Sequence, residues 1–580
     1  MTRIDRAREA WRRARKEPLT WILIAMIVLR VIGIGWGLPG SDAWEDDGIA
    51  PRDFLVGTVE TYTPGSYFTY PPVHLIGLTL LTAPVWGWAL AHARSLAPPD
   101  VIQAMIQVPI GTTLTLIARA VAALMSVGIV YALAKIGEEL RGPRAAILVA
   151  LTVGLNAPLI YYGHTSNLDV PYLFWASLSL LELVRVMVRN DPTRLRRAFV
   201  FAALSVGTKD QAYALFLLGV PLAFGLWFLT DARARANAKT LAKSLAISAA
   251  LALVLLLLVD GAITNPSGFR QRIAFLLGPA SQEHAYYAAS WEGRIQILRG
   301  LALGFDRFYP WPFAPLVVLG IGAHLTRARR DGRGHEGGAR LAAGLLPLFA
   351  AMSFVVCFNF TARRTEHRFA LPEMLLVGVY AGLALDSLLE ACTNAWSKRV
   401  AIAALVPLFG WALFGCAAVD AVLVLDPRYE AEAWLEQQVK PGDTIEVYGT
   451  NAYLPRLPPR AQVTRVDVLP LTKRNPLPGV TEVESRFGDV EARHPRFIVV
   501  PEAWVWKYMN GAPPAGLVLA PQHAAWQHDR DSTDYFHALH EERLAYRRAH
   551  VAAWSSTFWP RLDLHQSTGH EIRIFERKPL

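Results

Sequence analysis

The chain has 580 residues, 53% of them hydrophobic and only 18% charged, with a formal net charge of +10. A soluble protein of this length exposes far more charge, so an all-aqueous fold is excluded. The cations gather between apolar stretches, which is a pattern of membrane topology and not of nucleic-acid binding. Cys357, Cys392 and Cys416 lie in or beside apolar stretches and offer neither a disulfide framework nor metal-ligand spacing.

The first element is the apolar stretch 19–38, preceded by Arg3, Arg6, Arg8, Arg12, Arg13, Arg15 and Lys16. Basic flanks stay in the cytoplasm, so the amino terminus is expected inside. No small-x-small cleavage site marks the stretch, which is therefore expected to remain as an anchor. Directly after it come Asp42, Glu45, Asp46 and Asp47, expected on the outer side. Carboxylates packed at a membrane edge repel one another and lose hydration, which points to chemistry or ion binding. A solvated acidic loop is the plain alternative.

Further apolar stretches recur at 115–134, 145–160, 170–188, 241–259, 341–360, 370–389 and 400–425. Each is long enough to cross a hydrocarbon core of about 30 Å. Basic connectors at 135–144, 185–197, 233–243, 327–340 and 398–399 mark cytoplasmic loops. Parity then leaves an outer juxtamembrane loop at 39–114. Within it, residues 71–93, punctuated by Pro71, Pro72 and Pro84, read as broken interfacial helices. Residues 198–230 read as two short crossings meeting near Gly207-Thr208-Lys209-Asp210, which lifts Lys209 to the outer half. An outer loop follows at 260–310, with an interfacial helix at 291–303, and residues 361–368 also fall outside.

The charge rule gives about eleven crossings, or about thirteen if 71–93 returns through 101–113. The expected fold class is thus a polytopic α-helical membrane protein with a transmembrane part at 1–425. The tail, 426–580, has no apolar span and reads as a small extracytoplasmic α/β domain. Its patterning predicts helices at 430–439 and 532–547 and strands at 444–448, 497–500 and 570–577.

Four polar sites share the outer side on this topology. They are the acidic cluster, the site of His164, Asn167 and Asp169, the pair Lys209 and Asp210, and the run Arg363, Arg364, His367, Arg368. Carboxylates opposite cations suit an anionic leaving group displaced by an activated hydroxyl or amine. Each site has a dull alternative. The arginines can anchor lipid headgroups, His164 can cap a helix, and Lys209 and Asp210 can form a local ion pair. Asp169, just before Val170-Pro171, can be a helix cap.

The order of motifs resembles a known family. The acidic loop is followed by Tyr70-Pro71-Pro72-Val73, then by Arg119 and Leu140-Arg141-Gly142-Pro143-Arg144. Next come Gly163-His164-Thr165-Ser166-Asn167-Leu168-Asp169-Val170-Pro171, then Ser205-Val206-Gly207-Thr208-Lys209, and last Arg368-Phe369-Ala370-Leu371-Pro372. Over about residues 19–425 this is similar to the GT-C glycosyltransferases, specifically the protein mannosyltransferases and lipid A aminoarabinose transferases. The resemblance implies a polyprenyl-phosphate sugar donor used on the extracytoplasmic side. It makes Asp46 the base or acceptor-positioning group, with Asp47 where relatives often have Glu. Asp169 matches the second-loop aspartate, and Lys209, Arg364 and Arg368 suit the donor phosphate. Asp42, Tyr70 and His164 are expected to position substrate. The sequence reads Trp44-Glu45-Asp46-Asp47 where relatives show a Pro-Asp-Glu step, so the register stays open by one residue and Asp42 remains a substitute.

The expected activity is an inverting glycosyl transfer from a lipid-phosphate-linked sugar to an acceptor glycan, lipid or protein. The rivals are a transporter or lipid flippase, which places ionisable groups near the bilayer midplane, and a sensor that binds through its tail. A divalent cation shared by Asp46 and Asp169 stays open, since two carboxylates alone do not specify a metal.

Overall fold

A computed structural model describes residues 17–45, 48–278, 282, 285–331, 337–471, 475–509, 529–562, 564 and 568–579. The basic flank at 3–16, Asp46 and Asp47 lie outside the described residues. Among the described residues seven helices are long and apolar enough to cross a membrane: Val108–Arg141, Asp169–Arg189, Asp210–Thr230, Ala238–Val259, Gly337–Arg363, His367–Ala391 and Ala395–Gln438. Two bent pairs raise the number to nine at most. Leu251, Leu253, Val254 and Leu258 stand exposed along Ala238–Val259, as side chains facing lipid do. The chain is an integral membrane protein.

Several of the expected crossings are too short or too bent to pass this test by themselves, for local reasons. The first stretch makes a helix of only 14 residues, Pro18–Val31, before Gly33 and Gly37 turn the chain at φ 83° and 73°. Such angles cost a residue with a Cβ but not glycine. Leu195–Val206 is likewise short, at 12 residues. Residues 145–160 are bent by 71° between Pro143–Gly154 and Ala157–Gly163, where Asn156 caps the second piece by accepting from the Leu159 amide at 2.9 Å. The stretch 71–93 is also broken, into Val73–Leu81 and Ala83–Ala91 at 67°. The expected helix at 291–303 is present as Trp291–Leu303.

Val108–Arg141 has 34 residues. At about 1.5 Å per residue it outreaches the ~30 Å hydrocarbon core, so part of it stands clear of the membrane. Gly142 at φ 94° stops it, and Pro143 opens the next helix.

The tail folds into one six-stranded sheet: β1 Thr444–Val447, β2 Gln462–Asp467, β3 Val480–Glu484, β4 Phe497–Pro501, β5 Tyr546–Ala552 and β6 Ile572–Arg577. The order is β3-β2-β1-β4-β6-β5, with β1 to β4 parallel and β6 antiparallel to both neighbours. Every residue of β4 is buried. Phe497 and Val499 pack with Ala431 and Leu435 of the helix Pro427–Gln438 and with Val439 just after it, while Ile498 and Val500 join Tyr448, Phe487, Trp504 and Phe536 on the other face. This is the period-two alternation of a strand covered on both sides. The single helix expected at 532–547 is corrected. It ends at His540, and Glu542, at φ 56°, turns the chain so that Tyr546–Ala552 pairs with β6.

Candidate functional site

Asp169 opens the helix Asp169–Arg189 and is fully buried. The Asn167 side chain fixes this start, its Oδ1 accepting from the Asp169 amide at 2.7 Å. The carboxylate is thereby aimed at the break in the next pair of helices. Leu195–Val206 ends at Gly207, and Lys209 adopts an extended backbone, φ −152°, before the chain turns back into helix at Asp210. Its Nζ reaches Asp169 Oδ1 at 2.7 Å, and Gln211 Nε2 donates to the same oxygen at 3.2 Å. Gln211 also donates to Tyr172 Oη at 3.0 Å. Asp169 Oδ2 is buried and has no hydrogen-bond partner among the described residues.

The arginine run arrives from a third segment. A π-helix, Val355–Arg363, widens the end of the helix before it, a distortion that recurs at functional sites. Arg363, at φ 56°, then turns away: it donates to Gln282 Oε1 at 3.2 Å and to the Tyr287 carbonyl at 3.1 Å. Arg364 and Arg368 instead gather on Phe369, their Cζ atoms 4.5 and 4.6 Å from the ring centroid. Lys209 Nζ stands 5.6 Å from the same centroid. Glu366 accepts from Arg364 Nε at 2.9 Å. Burial first, and then Glu366, push the Tyr286 hydroxyl up to about 12, so it stays protonated beside Arg364. Cations drawn from two segments around one ring create a local field suited to an anion.

The first loop reaches this end of the bundle through Glu45 and Ile49, which bracket Asp46 and Asp47 in sequence. The Ser166 amide donates to Glu45 Oε1 at 2.7 Å, and Ser166 Oγ to the Ile49 carbonyl at 3.0 Å. Glu45 Oε2 also accepts from Arg119 Nε at 2.9 Å, with both side chains almost wholly buried. Arg119 spends Nη1 on the Ile34 and Trp36 carbonyls, each at 2.7 Å. Sequence reasoning missed this ion pair. An arginine within an apolar helix demands a partner, and that signal was present.

The remaining expected residues sit elsewhere. His164, expected at a substrate, is fully buried, with Nδ1 2.8 Å from the Ile160 carbonyl and Nε2 2.7 Å from that of Ile32. Its ring nitrogens face carbonyls of both segments, so it sits between the end of the first helix and the second loop. Asp42 faces the tail, accepting from Asn451 Nδ2 at 3.0 Å and from the Ala43 amide at 3.0 Å, and burial pushes its carboxyl up. Tyr70 lies at the surface, 39% exposed. Among the described residues no group of three or more His, Cys, Asp or Glu side chains is placed to hold a metal ion.

No protein-family model and no curated protein matches the chain. Among solved structures it is similar to ArnT from Cupriavidus metallidurans bound to undecaprenyl phosphate, at 14% identity and TM-score 0.46, covering 96% of this chain and 97% of that one. It is also similar to the archaeal oligosaccharyltransferase AglB from Archaeoglobus fulgidus, in complex with an inhibitory peptide and a dolichol-phosphate. There the identity is 12% and the TM-score 0.48, covering 97% of this chain and 89% of that one. At these scores the likeness assigns no residue a role.

Proposed function

We propose that the chain is a membrane glycosyltransferase that moves a sugar from a polyprenyl-phosphate donor to an acceptor glycan, lipid or protein on the outer face. The observation that carries this reading is the meeting of Asp169 with Lys209, and of Lys209, Arg364 and Arg368 on Phe369. Guanidinium and ammonium groups bind a phosphate and stabilise the charge it gains on departure. The donor phosphate sits on these cations, and its chain lies among the helices. Asp169 orients Lys209 through their 2.7 Å contact.

In the transfer step a carboxylate of the first loop takes the acceptor proton, and Asp46 is assigned this role. The acceptor oxygen or nitrogen bonds to the anomeric carbon as the bond from that carbon to the phosphate oxygen breaks. Polyprenyl phosphate leaves with the electron pair, and direct displacement inverts the anomeric configuration. General-base help of this kind contributes about 10²–10⁴-fold. The test is transfer by the purified full chain, supplied with a polyprenyl-phosphate sugar and an envelope-extract acceptor, in wild type and Lys209→Ala. The reading expects product from wild type and a sharp loss in the variant. Equal turnover in both removes the cation cluster from the mechanism.

A further inference from the structure

The loop that bears the acidic cluster is gripped from its other side by the tail. Trp44, two residues before Asp46, is buried against Arg428, whose Cζ lies 4.2 Å from its ring centroid, and against the Tyr429 ring at 5.0 Å. Arg456 adds a second guanidinium at 5.7 Å. Arg428 is itself fixed by Asp426, at 2.9 Å through Nε and 2.7 Å through Nη2, and its Nη1 donates to the Ala452 carbonyl. Trp36 Nε1 donates to Asp426 Oδ2 at 3.1 Å, and the Gly37 amide to Tyr429 Oη at 3.0 Å. Arg456 Nη1 reaches the Leu38 carbonyl at 2.7 Å while Glu432 holds its Nε at 2.8 Å. Asn451, just past β1, joins Asp42 and is held in turn by Arg465 Nη1 at 2.5 Å.

These contacts are polar, mutually saturating and spread from Trp36 to Asp42, whereas Glu45 is pinned to the bundle through Arg119 and Ser166. A loop meant only to connect two helices does not need anchoring on both sides. Planar guanidinium stacking and forked hydrogen bonds fix orientation as well as distance, which is what placing a base demands. We infer that the carboxyl-terminal sheet region is a positioning element of the transfer site. Through Arg428, Arg456 and Asn451 it sets the path of the first loop as far as Trp44, two residues before Asp46. The inference rests on the transferase reading. It assigns the tail to the catalytic step and not to donor binding, because the cation cluster comes from other segments.

A charge exchange across the Asp42–Asn451 contact tests it in the full chain. Asn451→Asp sets two carboxylates against each other and should lower kcat about tenfold or more, while KM for the polyprenyl-phosphate sugar stays within twofold. Hydrogen exchange over residues 36–45 should rise in the same variant. Asp42→Asn combined with Asn451→Asp restores the donor–acceptor pair and should recover both kcat and protection. A milder companion, Arg428→Lys, keeps the charge, loses the fork and should also act on kcat alone. Unchanged kcat in Asn451→Asp despite faster exchange overturns the inference, as does a loss that the exchange does not repair. Absence of transfer by wild type would instead sink the transferase reading, and the exchange data would still show whether the tail holds the loop.

Discussion

Two groups of charged side chains at the same end of the bundle are built on opposite plans. Arg119 and Glu45 form a closed pair, almost wholly buried, with the remaining guanidinium hydrogens given to backbone carbonyls. Around Phe369 two carboxylates, Asp169 and Glu366, face three cations, Lys209, Arg364 and Arg368. The first arrangement satisfies itself, and removing one partner strands a buried charge. The second gathers side chains of both signs at a place where three chain segments meet.

Substitutions on each side should break this contrast in different ways. Asp46→Asn, which removes the proposed base, should lower kcat by about 10²–10⁴-fold with folding and donor affinity largely intact. A steady-state assay with a defined donor checks it, and turnover like wild type excludes Asp46 from the chemistry. Arg119→Ala should act on stability, by about 3–5 kcal/mol, because Glu45 is left buried without its counter-ion. Thermal unfolding in detergent should show a lower midpoint. Lys209→Ala should weaken donor binding by about ten- to a hundredfold, the worth of one charge-assisted hydrogen bond, and should also lower the melting temperature, because Asp169 is left buried without its counter-ion. Titration with polyprenyl phosphate reads that directly.

The smallest effect concerns pH. Burial raises the Asp42 carboxyl above its ordinary value, so the folded chain holds that proton more tightly than the unfolded one. The contribution is thus fully present below the ordinary carboxylate pKa and is lost as pH rises through the raised one. Protection of residues 36–45 against hydrogen exchange should fall across that window. Asp42→Asn should flatten the dependence, whereas an unchanged slope would place its origin elsewhere.

Much of the bundle was legible because apolar length and basic connectors obey simple rules. The break at Gly207-Thr208-Lys209 and the helix at 291–303 follow from segment length and charge parity, and both are present. The first span was misjudged in length because Gly33, Gly35 and Gly37 are apolar on a hydropathy scale yet end the helix. Residues 532–547 look helical by composition, but pairing of Tyr546–Ala552 with β6 overrides local propensity. The ring of cations on Phe369 was half visible: Lys209, Arg364 and Arg368 were candidates, while their common ring and the partner Gln211 depend on packing that spacing does not encode. The contact of Trp44 with Arg428 links positions nearly 400 residues apart in the chain, and no local pattern announces it.

A structure of the full chain with polyprenyl phosphate bound tests the central claim most directly. Phosphate oxygens should lie within hydrogen-bond distance of Lys209 Nζ and of at least one of the Arg364 and Arg368 guanidiniums, at the Phe369 face. Density for the phosphate at any other part of the bundle, with those three side chains left in water, would contradict it.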